Sequence, residues 1–319
     1  MSKLKVGFII DPIETIRTDE DSTYLFMLES QRRDHTLYYM TVSDLFMAGA
    51  KPMAKVRPIE VFRGETYYRL DEKASLCLDD LHVLFMRKDP PFDLNYYTAT
   101  LILSMVHRKT LVINDPGSLR DNNEKMCTLQ FPELVPETIV TRRISRLQQF
   151  LKDQSGEIIV KPLFRSYGRD ILHVQQDHIN CNTLLEISTG EESRFVMAQR
   201  YLHDAVHGDK RIILLNGEPI GAVLWLPPEG AGDKPPIRTP WRETKTDLTE
   251  RDREICETIA PYLRDNGLFF AGIDVIGSYL TEINITSPTC LPEINRLNDD
   301  CLEAKVIDFV EEEWARRRL

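Results

Sequence analysis

The sequence contains no apolar run that approaches the roughly 18 residues of a membrane-spanning helix. It also has no internal repeat and no low-complexity tract. The chain also lacks an excess of positive charge. It has 40 Lys and Arg and 50 Asp and Glu, which gives a formal net charge of -10. A negative balance opposes nonspecific attraction to nucleic acids and anionic lipids. We therefore expect small-molecule ligands, with neither a nucleic acid nor a membrane as partner.

The six cysteines are scattered and form no CxxC pair. Neither a zinc site nor the disulfide framework of a small secreted domain is therefore indicated. The first residues, MSKLKVGFII, lead into an acidic turn at Asp11 and Pro12 instead of a secretory apolar segment. Both features favour a cytoplasmic protein with reduced thiols.

What the sequence does contain is an alternation of strand and helix patterns in its first third, within a chain of 319 residues that is 42% apolar. That length and composition suit two or three packed subdomains. KVGFII, TLYYMTV, LHVLFM and TLVIND predict strands, whereas STYLFMLESQRR and YYTATLILSMVHR have helical periodicity. Alternation of this kind predicts an open α/β sheet, here interrupted by a polar hairpin insertion over residues 48–80.

The rest of the chain is predicted to be α+β. SLRDNNEKMCTLQF, which contains Lys125, predicts a capped helix, and ETIVT predicts a short strand. From about residue 156 the pattern is rich in strands, and it ends in the helical segment CLEAKVIDFVEEEWARRR. Prolines and glycines over residues 226–247 predict a long surface loop, the kind of segment that often forms a functional lid.

A metal site is predicted near the C-terminus, in FFAGIDVIGSYLTEINITSPT. Two strands that turn at Gly277 and Ser278 would place Asp274 on the first strand. Glu282 and Asn284 would share one face of the second, because strand side chains repeat every two residues. Two carboxylates and an amide oxygen suit Mg²⁺ (or Mn²⁺), which takes its remaining ligands from water and nucleotide phosphates. A solvated hairpin face is the alternative, but the strands are otherwise almost wholly apolar.

Two lysines are candidates for phosphate binding. Lys161 ends the apolar run IIVK, where an ammonium group would be partly desolvated unless an anion met it. For Lys125 a surface position is an equally good interpretation. The stretch that begins at Lys161, KPLFRSYGRDIL, predicts a turn between two strands, which is either an ordinary hairpin or a lid that closes over a phosphate.

Seven short motifs occur in the order and at the approximate spacing found in bacterial glutathione synthetases of the ATP-grasp superfamily: LFMRKDPPFD, NEK, IIVKP, MAQRYL, GDKRI, GIDVIG and LTEINITSPT. The resemblance covers essentially the whole chain, and MRKDPPFD and TEINITSPT are its most specific parts. It implies an N-terminal open α/β substrate domain over residues 1–116 and an ATP-grasp fold over 117–319. The latter would divide into a small lid subdomain, about 117–200, and a catalytic subdomain, about 201–319.

The same resemblance implies a reaction and a set of site residues. ATP would phosphorylate a carboxylate of γ-glutamylcysteine, and the amine of glycine would then attack the acyl phosphate. The nucleotide would contact Lys125, Lys161, Ser166, Gly168, Gln199, Tyr201, Leu202 and Asp209. The metal ion would be held by Asp274, Glu282 and Asn284. The peptide substrate would face Arg87, Asp89, Arg211, Ser287 and Thr289.

The chain departs from the family pattern at two places. Its lid turn, FRSYGRD, contains one glycine and is more similar to the Ser-x-Gly-Arg turn of related ATP-grasp ligases that add amino acids to a ribosomal protein or a carrier protein. After the GEPI strand, the family carries an arginine that stabilises the developing oxyanion, whereas this chain has Trp225 and Leu226. Arg238 and Arg242 in the following loop are candidate replacements for this catalytic role, with Arg211 as a third.

These departures leave three hypotheses about function. The first is an ATP-dependent ligase that makes glutathione. The second is an ATP-grasp ligase with a different amino-acid or amine acceptor, and the third is a nucleotide-binding homologue without ligase activity. Under the first two, the small-molecule partners would be ATP, a γ-glutamyl peptide or related carboxylate, and an amino acid. Family likeness also implies a homo-oligomer.

Overall fold

The computed structural model describes residues 3–165, 168, 170–228 and 241–317. Within these ranges the chain forms three β-sheets, with α-helices packed against them. The α-helices are α1 (Ser22–Arg32), α2 (Leu94–Leu103), α3 (Pro116–Asp121), α4 (Ile144–Asp153), α5 (Cys181–Thr189), α6 (Glu250–Asp265), α7 (Leu291–Asn298) and α8 (Leu302–Arg317).

The first sheet is the open α/β sheet that the sequence predicts. Its strands are β1 (Lys5–Ile9), β2 (Thr36–Met40), β3 (Leu45–Ala48), β4 (Lys51–Val61), β5 (Tyr68–Leu70), β6 (Ala74–Cys77), β7 (Val83–Met86) and β8 (Leu111–Ile113). The parallel strands run in the order β2-β1-β7-β8, and β4 adds an antiparallel edge with β3, β5 and β6. The predicted polar insertion thus forms antiparallel strands at the edge of this sheet.

Local sequence explains why these elements form. Asp21 caps α1 by accepting hydrogen bonds from the backbone N–H groups of Thr23 and Tyr24, and Asp93 caps α2 in the same way. The central strands are buried on both faces, as expected of parallel strands covered by helices. Gly7 of β1 has no room for a side chain, since a Cβ there would lie 2.7 Å from Leu81.

The second sheet is antiparallel and has its own small core. Its strands are β9 (Thr138–Thr141), β10 (Glu157–Pro162), β11 (Leu172–Gln175) and β12 (Val196–Arg200), in the order β11-β10-β12-β9. Residues of α4 and α5 bury its apolar face in a cluster that is separate from the other two cores. The unit therefore packs mainly on itself. The pairing of Val160 with Leu172 confirms the predicted strand, turn and strand over residues 158–172.

The third sheet is antiparallel and shares its cores with the first. Its strands are β13 (Asp209–Leu215), β14 (Glu218–Leu226), β15 (Arg242–Lys245), β16 (Phe270–Ile276) and β17 (Tyr279–Asn284), in the order β15-β14-β13-β16-β17. Two hydrophobic clusters each contain side chains of both sheets, such as Leu84 with Ile273 and Phe85 with Phe270. The first and third sheets thus form one packed body that holds its strand ends in fixed positions.

Two expectations of secondary structure are wrong. The capped helix expected around Lys125 ends at Asp121, and a 3₁₀ helix, Met126–Gln130, follows after a break. The Asn123 side chain causes the break, because its Oδ1 accepts hydrogen bonds from the N–H groups of Lys125 and Met126, which compete with helical bonding. Lys125 therefore lies between two short helices.

The long loop expected over residues 226–247 is the second wrong expectation. Arg242–Lys245 form β15, which pairs with the end of β14. Edge pairing with β14 satisfies their backbone groups despite the prolines nearby. Residues 229–240 lie outside the described part of the chain.

None of the helices in the described ranges is long and apolar enough to cross a membrane.

Candidate active site

A cavity of about 580 Å³ lies between the second and third sheets. Eight of the residues assigned from the sequence line it: Lys161, Gly168, Gln199, Tyr201, Leu202, Asp209, Asp274 and Glu282. They come from strands and strand ends of both sheets, so the cavity exists only when the two sheets face each other. Its volume falls within the range of about 300 to 1,000 Å³ typical of sites for small ligands.

The two lysines reach the same hairpin of the third sheet. The Nζ of Lys125 lies 2.8 Å from Oε1 of Glu282, and it also donates to the carbonyl of Arg165 at 2.8 Å. The Nζ of Lys161 donates to the carbonyl of Thr281 at 3.0 Å. Both lysines are almost fully buried. Their side chains therefore lie next to the strand that carries the predicted metal ligands.

The hairpin of β16 and β17 has the arrangement that the sequence predicts. Asp274 and Glu282 are directly opposite one another on the two strands. Arg211 of β13 forms a two-point ion pair with Asp274, in which one of the two N–O distances is 2.9 Å. Asn284 donates its amide to the same carboxylate at 3.1 Å. Asp274 thus links Arg211 of β13 to Asn284 of β17.

Buried charges dominate the electrostatics of this cluster. Burial lowers the pKa of Lys161 to about 8, although Glu282 partly offsets the effect. Burial and the carboxylate of Asp274 raise the pKa of Asp209 well above its usual range. Burial would lower the pKa of Arg211, but Asp274 raises it above its ordinary value. Oδ1 of Asp209 is also buried and has no hydrogen-bond partner among the described residues.

The part of the cavity that faces β12 is flat and largely apolar. The ring of His173 stacks on that of Tyr201, with centroids 4.1 Å apart and planes 12° apart. Gln199 is buried, and its Nε2 donates to the hydroxyl of Thr138 at 3.0 Å. Leu202, which follows Tyr201 in the chain, also lines the cavity. An aromatic and amide surface of this kind suits a planar heterocycle.

The turn between β10 and β11 contributes Gly168 to the cavity wall. Its φ is +65°, a conformation that glycine adopts without strain. Ser166, which the sequence also assigns to the phosphates, lies outside the described residues.

Four of the five residues assigned to the peptide substrate gather where the end of β7 meets the segment after β17, and the fifth, Arg211, lies with Asp274. Arg87 is buried, and its guanidinium donates to Thr23 at 3.0 Å and to the carbonyl of Pro288 at 2.7 Å. The hydroxyl of Ser287 lies 3.3 Å from the carbonyl of Arg87. A smaller cavity of about 250 Å³ is lined by Arg87, Asp89, Thr289 and neighbouring residues.

Two of the three candidate replacements for the missing arginine lie within the described residues. Arg242 is exposed at the start of β15, opposite Leu226. Arg238 lies outside the described residues. Arg211, the third candidate, forms an ion pair with Asp274, one of the predicted metal ligands.

Sequence reasoning missed Glu124, which holds the cluster together. Its Oε1 accepts hydrogen bonds from the N–H of Ile285 at 2.9 Å, and from the N–H and hydroxyl of Thr286 at 3.0 and 2.9 Å. Its carbonyl accepts a further bond from the N–H of Ile283. The position of Glu124 within the NEK motif, directly before Lys125, was the available signal. His173 was also missed, because a single histidine in a strand carries no such signal.

Family models match nearly the whole chain. The model of the prokaryotic glutathione synthetase N-terminal domain matches residues 4–120, and that of the prokaryotic glutathione synthetase ATP-grasp domain matches residues 124–299. A glutathione synthetase from Mesorhizobium japonicum is 40% identical over 311 residues, which cover 97% of this chain and 98% of the relative. One from Yersinia pestis is 41% identical over 293 residues, 91% of this chain and 92% of the relative.

Solved structures with low sequence identity have the same fold. An ATP-grasp ligase from Chryseobacterium gregarium, in complex with ADP and peptides, has a TM-score of 0.65 at 14% identity and covers 97% of both chains. D-alanyl-alanine synthetase A from Vibrio cholerae has a TM-score of 0.62 at 13% identity, covering 99% of this chain and all of that one. The fold is therefore the ATP-grasp fold, as the sequence motifs imply.

Proposed function

This chain belongs to the prokaryotic glutathione synthetase family, and from that premise we propose that it joins γ-glutamylcysteine to glycine through an acyl phosphate. It is an ATP-dependent carbon–nitrogen ligase of the ATP-grasp type. The observation that carries the proposed site is the cluster in which Lys125, Lys161 and Arg211 meet Asp274 and Glu282. Phosphoryl transfer consists largely of positioning and charge compensation, which such a cluster supplies.

The proposed nucleotide position follows the two parts of the larger cavity. The adenine would lie against Tyr201 and Leu202, near Gln199, where the wall is flat and apolar. The ribose would lie near Asp209. The phosphates would extend towards Lys125, Lys161 and the turn that contains Ser166 and Gly168. Each lysine would then exchange a protein oxygen for a phosphate oxygen.

The donor set of the hairpin fits a hard divalent cation. No three His, Cys, Asp or Glu side chains in the described ranges gather into a metal-holding group. We therefore propose that Asp274 and Glu282, with the amide oxygen of Asn284, hold Mg²⁺ or Mn²⁺ only when phosphate oxygens complete the shell. Such an ion would neutralise phosphate charge. The orphaned Oδ1 of Asp209 supports the presence of additional positive charge at this place.

Arg211 is proposed to act during acyl transfer. Its guanidinium is fixed by Asp274 and lies on the strand next to the hairpin. A fixed positive group is well suited to stabilise the oxyanion that forms when an amine attacks the acyl phosphate. Arg238 and Arg242 remain candidates for a second positive group at that oxygen.

We further propose how the chain is divided and assembled. Residues 1–116 would bind the peptide, and residues 117–319 would bind ATP, with a lid over about 117–200 that is supported by its separate core. An apolar stripe formed by the exposed Leu94, Tyr97 and Leu101 of α2, together with Met105 just after it, supports a homo-oligomer. The protein would act in the cytoplasm, because all six cysteines are unpaired. Light scattering tests the assembly.

A different acceptor is the second candidate for the substrate, and Trp225 is the observation that favours it. The indole stands where relatives of the family carry an arginine, and it lines the smaller cavity next to the substrate residues. A changed wall at this place would change which amine fits.

The test is an assay of ADP release with γ-glutamylcysteine and glycine, followed by a panel of other amino acids and amines. Release that needs both the dipeptide and glycine supports the proposed substrates. Release with another amine supports a different acceptor. The absence of release with any acceptor, although Mg²⁺·ATP binds, would contradict the proposed reaction. Lys161→Met is the matched control, because it should abolish release with every acceptor alike.

A further inference from the structure

The smaller cavity contains a carboxylate that the proposed mechanism does not yet use. Glu293 lies in the first turn of α7 and is only 5% exposed. Its Oε2 is buried and has no hydrogen-bond partner among the described residues. A buried polar atom without a partner is costly in a folded protein unless a ligand satisfies it. The unpartnered oxygen therefore indicates that a ligand with a hydrogen-bond donor binds here.

The charges around this cavity favour a cation. The acidic side chains that line it are Asp11, Glu20, Asp21, Asp89 and Glu293. The basic ones are Arg17 and Arg87. Several of the acids already have partners, since Asp11 pairs with Lys88 and Glu20 pairs with Arg17. Glu293 is the acid whose buried oxygen is left for an incoming donor.

The cavity adjoins the phosphoryl-transfer cluster. Trp225 lines it and lies directly opposite Asp209, which lines the larger cavity, on the paired strands β13 and β14. Opposite residues on antiparallel strands have their Cβ atoms about 5 Å apart. Cys290, another wall residue, interacts electrostatically with Arg211. A small molecule in this cavity would thus lie beside the proposed site of the acyl phosphate.

We propose that this cavity binds the amine acceptor beside the peptide substrate, and that Glu293 holds its ammonium group and removes the proton that blocks attack. Arg87, Asp89 and Thr289 would form the wall that the two substrates share. The inference rests on the proposed function, because it needs an acyl phosphate as the partner of the amine. The volume of about 250 Å³ suits a single amino acid such as glycine. The indole of Trp225 forms an apolar part of the wall and adds no positive charge. Acidic side chains therefore outnumber basic ones around the cavity.

The proposed step balances in protons and electrons. An ammonium proton moves to the Glu293 carboxylate, which leaves a neutral amine and a carboxylic acid. The amine lone pair forms the C–N bond, the C–O bond to the phosphate breaks, and the phosphate leaves with the electron pair. The second amine proton departs with the phosphate as HPO₄²⁻. Glu293 then loses its proton to water.

The protonation equilibrium of Glu293 suits this role. Burial raises the pKa of Glu293 to about 7, and Arg296 opposes the shift. The other charged or titratable groups that face it are Asp11, Arg17, Glu20, Asp21, Arg87, Asp89, Glu243 and Cys290. A base that titrates near neutral pH can both accept and release a proton in each turnover.

Hydroxylamine separates this role from the earlier phosphorylation step. It is neutral at pH 7 and attacks acyl phosphates to give hydroxamates, so it does not need a base to become a nucleophile. In the wild-type enzyme with ATP and γ-glutamylcysteine, we expect kcat/KM for glycine to rise with pH through about 7. Hydroxamate formation should lack this rise. If both nucleophiles show the same profile, the inference is wrong.

Glu293→Gln should lower kcat/KM for glycine by about 100-fold, the usual size of a general-base effect. It should remove the rise with pH and leave hydroxamate formation unchanged. Glu293→Asp should restore part of the glycine rate together with the pH dependence. The matched control is Glu303→Gln on α8, because Glu303 is also buried but bonds to Asn295 and does not line the cavity. It should keep both reactions.

The outcomes distinguish the inference from the proposed function. If Glu293→Gln keeps its rate with glycine, Glu293 is not the base. If it loses both reactions while Glu303→Gln keeps them, the role of Glu293 is structural and the inference fails. If the wild-type enzyme makes no hydroxamate, the acyl phosphate itself is absent and the proposed function fails first.

Discussion

The ammonium group of Lys125 is paired with the carboxylate of Glu282, 2.8 Å away. Lys125 is a proposed phosphate ligand and Glu282 a proposed metal ligand. In the absence of nucleotide and metal, each is the partner of the other. The same lysine donates to the carbonyl of Arg165, at the start of the lid turn. A nucleotide that arrives with a divalent ion can exchange these partners, since the lysine gains a phosphate and the glutamate gains the metal. We therefore expect nucleotide binding to release the carbonyl of Arg165 from Lys125.

Glu282→Gln should weaken Mg²⁺ activation by at least about tenfold, because an amide is a poorer ligand than a carboxylate and Lys125 loses its partner. Asn284→Asp should lower the thermal midpoint of the free protein, because it adds a negative charge 3.1 Å from Asp274. Added Mg²⁺ with nucleotide should restore that midpoint. Metal titrations of ADP release, together with thermal unfolding, measure both effects. Unchanged titration curves in both variants would place the metal site elsewhere.

Nucleotide affinity should fall as the pH rises through about 8, because free Lys161 loses its proton there and the phosphates favour the charged form. The stability of the free protein depends on pH in the opposite direction. The pKa is lower in the folded state than in the unfolded chain, so Lys161 makes the free energy of unfolding rise between about pH 8 and 10.5. Calorimetry of ATP binding in buffers of different ionisation enthalpy should detect proton uptake. Lys161→Arg should remove the pH dependence, and a wild-type affinity that is constant from pH 7 to 9 would contradict the prediction.

Arg211→Met should reduce kcat by roughly 100-fold or more, because it removes the positive group proposed for the oxyanion. It should also lower the free energy of unfolding by about 3 kcal/mol, since Asp274 is left without its ion pair. Arg211→Lys keeps the charge but not the two-point geometry, and is expected to recover stability better than rate. Steady-state kinetics and chemical denaturation separate the two effects. Normal kcat in the Met variant would exclude Arg211 from catalysis.

Glu124→Ala should lower the free energy of unfolding by about 3 kcal/mol, because three buried donors of Ile285 and Thr286 lose their acceptor. We also expect a higher KM for the peptide, since the segment that follows leads into Ser287 and Thr289. Glu124→Gln retains an acceptor oxygen and should be milder in both respects. Denaturant titrations and substrate saturation curves provide the measurements. Equal effects of Ala and Gln would argue against this positioning role.

Arg242→Ala and Arg238→Ala test the replacement of the family's oxyanion arginine. If either residue takes that role, kcat should fall by about 100-fold while ATP affinity changes little, because the charge acts only as the tetrahedral intermediate forms. Deletion of residues 231–236 tests the predicted lid, which should lose turnover or hydrolyse ATP without product. Full activity in all three variants would leave Arg211 as the donor.

The sequence alone determined most of the local elements, whereas the roles of the site residues stay predictions. The alternation of apolar residues and the turn at Gly277 and Ser278 were sufficient to predict the hairpin that pairs Asp274 with Glu282. Such signals are readable because side-chain periodicity and turn chemistry act between near neighbours in the chain. The same reasoning failed around Lys125, where the side chain of Asn123 outweighed helical periodicity.

Only the tertiary structure decided which polar groups meet. Lys125 and Glu282 are 157 residues apart, and Arg87 and Pro288 are 201 residues apart. The unpartnered oxygen of Glu293 and the stacking of His173 on Tyr201 likewise arise where separate elements pack together. No periodicity encodes these contacts, because they depend on how the shared cores bring distant strands into register, and that burial also sets the pKa values of Lys161, Asp209 and Glu293.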